Sequence, residues 1–178
     1  MITVEPGDIL LVANKSHTAP NRLARWAIRL GAHLEHTPTE WTHVIVADHV
    51  DDAGNYWGIE ARAHGVGWAP LTSWLEDTDT LTNVRQPKTD EQRHLVISAT
   101  AALLARKDGT GYDWAAIGLD GTIALAAIAH LQPYWRDEQW KGTPLHVVCS
   151  ALADWAYEQA GLESPTADRF CTPGDWAQ

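Results

Sequence analysis

Two short runs of consecutive apolar residues constrain the fold of this chain most. They are Ile9-Leu10-Leu11-Val12 and Val44-Ile45-Val46-Ala47. Apolar runs of this length, without polar residues at alternate positions, are typical of strands that are buried on both faces. Gly7-Asp8 is a turn signal before the first run, and His43 directly precedes the second. The sequence therefore predicts two core strands, with His43 at the edge of the second.

A hairpin is predicted after the second core strand. Asp51-Asp52-Ala53-Gly54-Asn55 has the composition of a turn, and Tyr56–Ala61 has the composition of a strand. If the register allows, this hairpin brings Glu60 near His43. Residues 65–70 then continue the sheet as a meander, residues 71–75 form a helical turn, and a further strand runs from about residue 81 to 85.

Three amphipathic segments predict helices at about residues 21–34, 89–107 and 143–159. In the second, Thr89 is the expected N-cap. In the third, Gly161 is the expected C-terminal stop. The apolar residues at helical spacing are Leu95, Ile97, Ala101 and Leu104 in the second helix, and Val148, Leu152 and Trp155 in the third. The segment 172–175 is expected to be a loop.

Length and charge narrow the class of protein. The 178 residues, 45% of them hydrophobic, suit one compact domain spanning 1–178, and no repeat or linker suggests a boundary. The formal net charge is −10, without a basic patch, which argues against nucleic acid or an anionic membrane surface as the main partner. The oligomeric state is left open.

The membrane and export signals are weak. The first eight residues lack the charged and apolar regions of a signal peptide, so a cytoplasmic location at synthesis is the expectation. The longest apolar run, Ala115 to Leu131, is interrupted by Asp120, Gly121 and His130. It is too short and too polar to span a bilayer and is more typical of a buried helix.

Cys149 carries the strongest chemical signal. Unpaired backbone N–H groups in a first helical turn, together with the helix dipole, stabilise a thiolate, which is the nucleophilic form of cysteine. The second cysteine, Cys171, is expected to stay a free thiol, since a reducing compartment and a domain of this size favour free thiols over a disulfide. Cys149 makes the chain a candidate cysteine hydrolase.

The order of short motifs along the chain resembles a known family. The motifs are Gly7-Asp8-Ile9-Leu10-Leu11, Trp41-Thr42-His43-Val44-Ile45, Ile59-Glu60-Ala61, Tyr112-Asp113, Cys149-Ser150 and Thr172-Pro173. In this order they resemble the circularly permuted branch of the NlpC-type, papain-like cysteine peptidases, including the YiiX-like proteins. In that branch the histidine strand precedes the cysteine helix, as it does here. The resemblance implies an α+β, permuted papain-like fold with an antiparallel sheet packed against helices.

The same resemblance implies a role for each site residue. Cys149 is then the nucleophile, His43 the general base that later protonates the leaving group, Glu60 the group that orients the imidazole, and Tyr112 the tyrosine on the oxyanion side. These residue types suit the chemistry, because a thiolate needs an adjacent base and the base needs a third group to fix its tautomer. The chain departs from the branch at Ala151, where an acidic residue is common, and in the segment 117–140, which does not align.

Each site residue also has a structural interpretation. Cys149 and His43 are then core residues, Glu60 a solvated strand residue and Tyr112 a packing residue. A metal site built on His33, His36, His49 and His64 matches no closed zinc pattern, so neither a metal nor a cofactor is predicted.

Ten tryptophans, among them Trp41, Trp57, Trp68 and Trp114, suggest core packing with a minority available to line a groove for sugar rings or an apolar chain. The favoured function is a thiol hydrolase that cleaves an amide bond in a peptidoglycan stem peptide or a related small peptide. Such an enzyme reaches a cell wall on lysis or within a phage particle. The alternatives are a non-catalytic binding or structural protein on the same scaffold, and a lipid acyltransferase or esterase that docks through residues 115–131.

Overall fold

The computed structural model describes residues 3–13, 26, 29–30, 32–33, 36, 38–62, 65–72, 75, 81–105, 111–112, 146–147, 149–163, 165 and 173–177. Within these residues the fold is α+β, with an antiparallel sheet packed against helices, as predicted. The predicted segment 115–131, the unaligned segment 117–140, Trp114 and Cys171 lie outside the described residues.

A five-stranded antiparallel sheet forms the centre of the molecule, in the order β4-β3-β2-β1-β5. Its strands are β1 (Ile9–Val12), β2 (His43–Val50), β3 (Tyr56–Arg62), β4 (Gly65–Pro70) and β5 (Leu81–Arg85). The predicted core strands β1 and β2 are adjacent, with Val12 paired with His43. The predicted β2–β3 hairpin and the β4 meander are confirmed.

The adjacent strands β1 and β2 are buried on both faces over most of their length. One face of β1 and β2 packs with the helices in a cluster that includes Leu11, Val44 and Val46. The opposite face packs in a second cluster that includes Leu10 and Ile45. Because successive side chains of a strand point to opposite faces, two covered faces require the continuous apolar runs seen in the sequence.

Two helices cover the first face. They are α1 (Asp90–Leu104) and α2 (Cys149–Gln159). The predicted cap of α1 is confirmed, because the Thr89 side chain accepts a hydrogen bond of 3.2 Å from the backbone N–H of Gln92. The predicted apolar stripe of α1 is wrong. Its buried residues are Val96, Ala99, Thr100 and Leu103, whereas Leu95 is exposed.

The third predicted helix begins later than expected. Residues 146–147 are extended and form β7 (His146–Val147), which pairs in parallel with β6 (Gly111–Tyr112), so α2 starts at Cys149 and not at Thr143. The predicted stop at Gly161 is confirmed. Gly161 has a φ of +66°, and the N–H of Leu162 donates to the carbonyl of Tyr157, as in a Schellman motif.

A buried ion pair holds the N-terminal turn against α1. Asp8 is fully buried, and one of its carboxylate oxygens lies 2.8 Å from Nη1 of Arg93. The same nitrogen donates to the carbonyl of Pro6 at 2.8 Å, while Nη2 of Arg93 lies 2.7 Å from the exposed carboxylate of Glu5. The predicted turn at Gly7-Asp8 is therefore tied to α1 by these contacts.

The remaining segments largely agree with the sequence. Residues 26, 29–30 and 32–33 are helical, within the helix predicted at 21–34, and the N–H of Leu75 donates to the carbonyl of Leu71 in the predicted helical turn. The expected loop at 172–175 is wrong at its end, because Asp175–Ala177 forms a 3₁₀ turn that buries Trp176 completely. Among the described helices, none has the length and apolar character needed to cross a bilayer.

Candidate active site

Cys149 lies at the end of the sheet where β2 begins. It is the first residue of α2, which packs across β2 and β3, and it is 2% exposed. The backbone N–H groups of Val44 and Ser150 donate hydrogen bonds to its sulfur. The later start of α2 therefore places the sulfur directly at a helix N-terminus, where the dipole favours a negative charge.

His43 and Glu60 are in direct contact. Nε2 of His43 lies 2.5 Å from Oε2 of Glu60, and both side chains are largely buried. Ile59 and Ala61 belong to the helix-side cluster, so the alternation of β3 directs Glu60 to the opposite face of the sheet. The contact between Glu60 and His43 that the predicted hairpin would allow is present.

The imidazole of His43 bridges the two faces. Its side chain hydrogen-bonds the sulfur of Cys149, which approaches from the helix side, and the carboxylate of Glu60, which comes from the other. Because Nε2 is engaged by Glu60, Nδ1 is the ring nitrogen that remains to face the sulfur. Glu60 thus determines which nitrogen is available for proton exchange with Cys149.

The electrostatics of the pair favour its charged form. Burial disfavours a charge on His43, but the Cys149 sulfur and the Glu60 carboxylate outweigh it and raise the pKa of His43 to about 9. Burial likewise disfavours a thiolate, but the charge of His43 and the hydrogen bonds from His43, Val44 and Ser150 lower the pKa of Cys149. A thiolate and an imidazolium stabilise each other in this arrangement.

Comparisons with known protein families, with curated proteins and with solved structures give no match.

Arg62 is a site residue that the sequence reasoning missed. Its Nε lies 2.5 Å from Oε1 of Glu60, the oxygen that His43 does not use. The signal that would have found it is the period of a strand, since Glu60 and Arg62 are two residues apart and share a face of β3.

Tyr112 is placed by its backbone only. Its backbone pairs with that of Val147 in the β6–β7 ladder, and Val147 precedes the first residue of α2 by two positions. Its side chain is not among the described side chains, and its role on the oxyanion side stays a prediction.

The described tryptophans differ in burial and contacts, and a groove lined by some of them stays a prediction. Trp41 packs partly against the helix-side core, and Trp57 donates from its indole to Asp51. Trp68 is 49% exposed and makes an edge contact with His49. His33, His36 and His49 form no cluster, and no group of three or more His, Cys, Asp or Glu side chains in the described part of the chain is arranged to hold a metal ion.

Proposed function

We propose that this chain is a cysteine hydrolase of the permuted papain-like type, which cleaves an amide bond through an acyl-enzyme. The observation that carries the proposal is the imidazole of His43, which contacts the sulfur of Cys149 and the carboxylate of Glu60 at once. A nucleophile, a base and a group that orients the base are what such a reaction needs. The chain order, histidine strand before cysteine helix, agrees with the permuted branch.

The reaction begins with attack of the Cys149 thiolate on the carbonyl carbon of the substrate. The carbonyl oxygen becomes an oxyanion. The backbone N–H groups of the first turn of α2, which lie beside the attacking sulfur, stabilise this oxyanion. The imidazolium of His43 then protonates the leaving amine from Nδ1, and the carbon–nitrogen bond breaks. The products of this half-reaction are a thioester on Cys149, a free amine and a neutral imidazole.

The second half-reaction restores the enzyme. Neutral His43 takes a proton from water, and the resulting hydroxide attacks the thioester carbon. The carbon–sulfur bond breaks, Cys149 leaves as a thiolate, and His43 is again an imidazolium. Throughout, Glu60 holds the imidazole by Nε2, so the nitrogen that faces the sulfur does not change.

The substrate class is a peptidoglycan stem peptide or a related small peptide. The resemblance supports this class, and the net charge of −10 disfavours nucleic acid as the substrate. Delivery to a cell wall on lysis or in a phage particle is part of the same proposal.

The test is incubation of the full chain with purified muropeptides and model peptides, followed by mass spectrometry of the products and of the acid-quenched protein. The expected result is new amine and carboxyl ends and a mass adduct on the wild type, both absent from Cys149→Ala. The matched control is His49→Ala, an exposed histidine that pairs with Asp48 instead of with the site. Absence of products and of an adduct with every peptide would contradict the proposal. Acyl transfer from phospholipid vesicles in place of peptide cleavage would favour the lipid alternative.

A further inference from the structure

The Glu60 carboxylate is bracketed by two basic side chains. Oε2 lies 2.5 Å from Nε2 of His43, and Oε1 lies 2.5 Å from Nε of Arg62. The Glu60 side chain is only 4% exposed, whereas that of Arg62 is 51% exposed and reaches the carboxylate from the solvent side. A buried anion thus has one partner inside the site and one at its rim.

We propose that Arg62 is a positioning residue, which fixes the Glu60 carboxylate against His43 and extends the chain of contacts to Cys149–His43–Glu60–Arg62. The inference rests on the proposed hydrolase function, because it assigns Arg62 a task in the same site. Arg62 acts through Glu60 and does not itself touch the reacting atoms.

The geometry gives Arg62 two effects. A carboxylate has two equivalent oxygens, and with Oε1 held by the guanidinium, only Oε2 is directed at the imidazole. Arg62 also supplies a permanent cation. When His43 gives its proton to the leaving amine, Glu60 would otherwise be left as a buried charge without a counter-ion, which is costly.

The charges around the site predict the sign of the effect. Among the described residues, the titratable groups in contact with this unit are His43 from β2, Glu60 and Arg62 from β3, and Cys149 from α2. Replacing Arg62 with a neutral residue removes positive charge from the neighbourhood of the thiolate. It also releases Oε1 of Glu60, so the carboxylate is no longer held against His43 and stabilises the imidazolium less. Both changes make the thiolate form at higher pH.

The test is the pH dependence of Cys149 alkylation by iodoacetamide, a neutral electrophile, in the full chain. Arg62→Met and Arg62→Gln are expected to move the acid limb of the rate profile to higher pH by about 0.5 pH unit or more. The shift is smaller than the loss of a direct ion pair with Cys149 would cause, because Arg62 contacts Glu60 and not the sulfur. Arg62→Lys, which keeps the charge, is expected to recover most of that shift. Lys88→Met, which removes one exposed positive charge outside the site, is expected to leave the profile unchanged.

The outcomes separate the two proposals. If the wild type shows an acid limb well below the ordinary thiol range and Arg62→Met matches it, the positioning role is wrong while the hydrolase proposal stands. An unchanged profile with a raised KM for peptides would likewise overturn positioning and make Arg62 a substrate contact. If the Cys149 thiol of the wild type itself titrates in the ordinary range, the proposed hydrolase function is contradicted, and the positioning role of Arg62 is contradicted with it.

Discussion

Nε2 of His43 lies 2.5 Å from Oε2 of Glu60, although the two residues are 17 positions apart. The contact exists because β2 and β3 form a hairpin whose register sets both side chains at the same end of the sheet. It leaves Nδ1 free to exchange a proton with Cys149, and each prediction about the chemistry depends on it.

Replacing Glu60 with Gln should lower the pKa of His43 from about 9. The amide keeps the size of the side chain but removes the negative charge that favours the imidazolium. The measurement is an NMR titration of the His43 ring. The matched control is Asp48→Asn, which removes the carboxylate beside the exposed His49. An unchanged His43 pKa in Glu60→Gln would contradict the assigned role of Glu60.

Hydrolysis should decline as the pH rises through about 9. The pKa of His43 is raised to about 9, so below that value the imidazolium persists and can protonate the leaving amine. Above it the proton is lost, although the thiolate remains. The measurement is the pH profile of kcat/KM on a cleaved peptide. A rate that keeps rising beyond this pH would show that His43 is not the acid.

The strands that position the site could be predicted from the sequence because local patterns determine them. The apolar runs of β1 and β2, the turn at 51–55, the cap at Thr89 and the stop at Gly161 each follow from a preference of a few neighbouring residues. The Glu60–His43 contact followed from the hairpin alone, once its register was assumed.

The sequence predictions that are wrong concern features that depend on tertiary contacts. The local pattern predicts an apolar stripe through Leu95, but the helix buries Val96, and Arg93 of the same helix pairs with the distant Asp8. Thr143-Pro144 is a local start signal and predicts an earlier start for α2, whereas residues 146–147 pair with a distant strand. The burial of Trp176 was missed because its ring contacts, Tyr157 and Arg85, come from other segments.

Replacing Arg93 with Met should destabilise the fold by about 3–5 kcal/mol, because it removes the cation that pairs with the fully buried carboxylate of Asp8. The measurement is the free energy of unfolding in urea. The matched control is Glu5→Gln, which removes the exposed partner of the same arginine and should cost about 1 kcal/mol or less. Equal losses in the two variants would refute the importance of the buried pair.

Replacing Gly58 with Ala should destabilise the sheet by about 1–3 kcal/mol through overpacking. A Cβ at Gly58 would lie 2.7 Å from Cγ2 of Ile45 and 2.8 Å from the carbonyl oxygen of Val46, and the backbone atom cannot move aside cheaply. Gly67→Ala is the control, since a Cβ there meets nothing within 4 Å. Urea midpoints of the two variants are compared, and a similar midpoint for both would count against the close approach.

The most direct test of the central claim is the ultraviolet absorbance of the Cys149 thiolate as a function of pH, taken as the difference between the wild type and Cys149→Ala so that Cys171 cancels. The account predicts that the thiolate is present at neutral pH, disappears only on acidification, and is lost at neutral pH in His43→Ala. Thiolate absorbance that appears only as the pH rises through the ordinary thiol range of about 8.5, alike in the wild type and in His43→Ala, would contradict it.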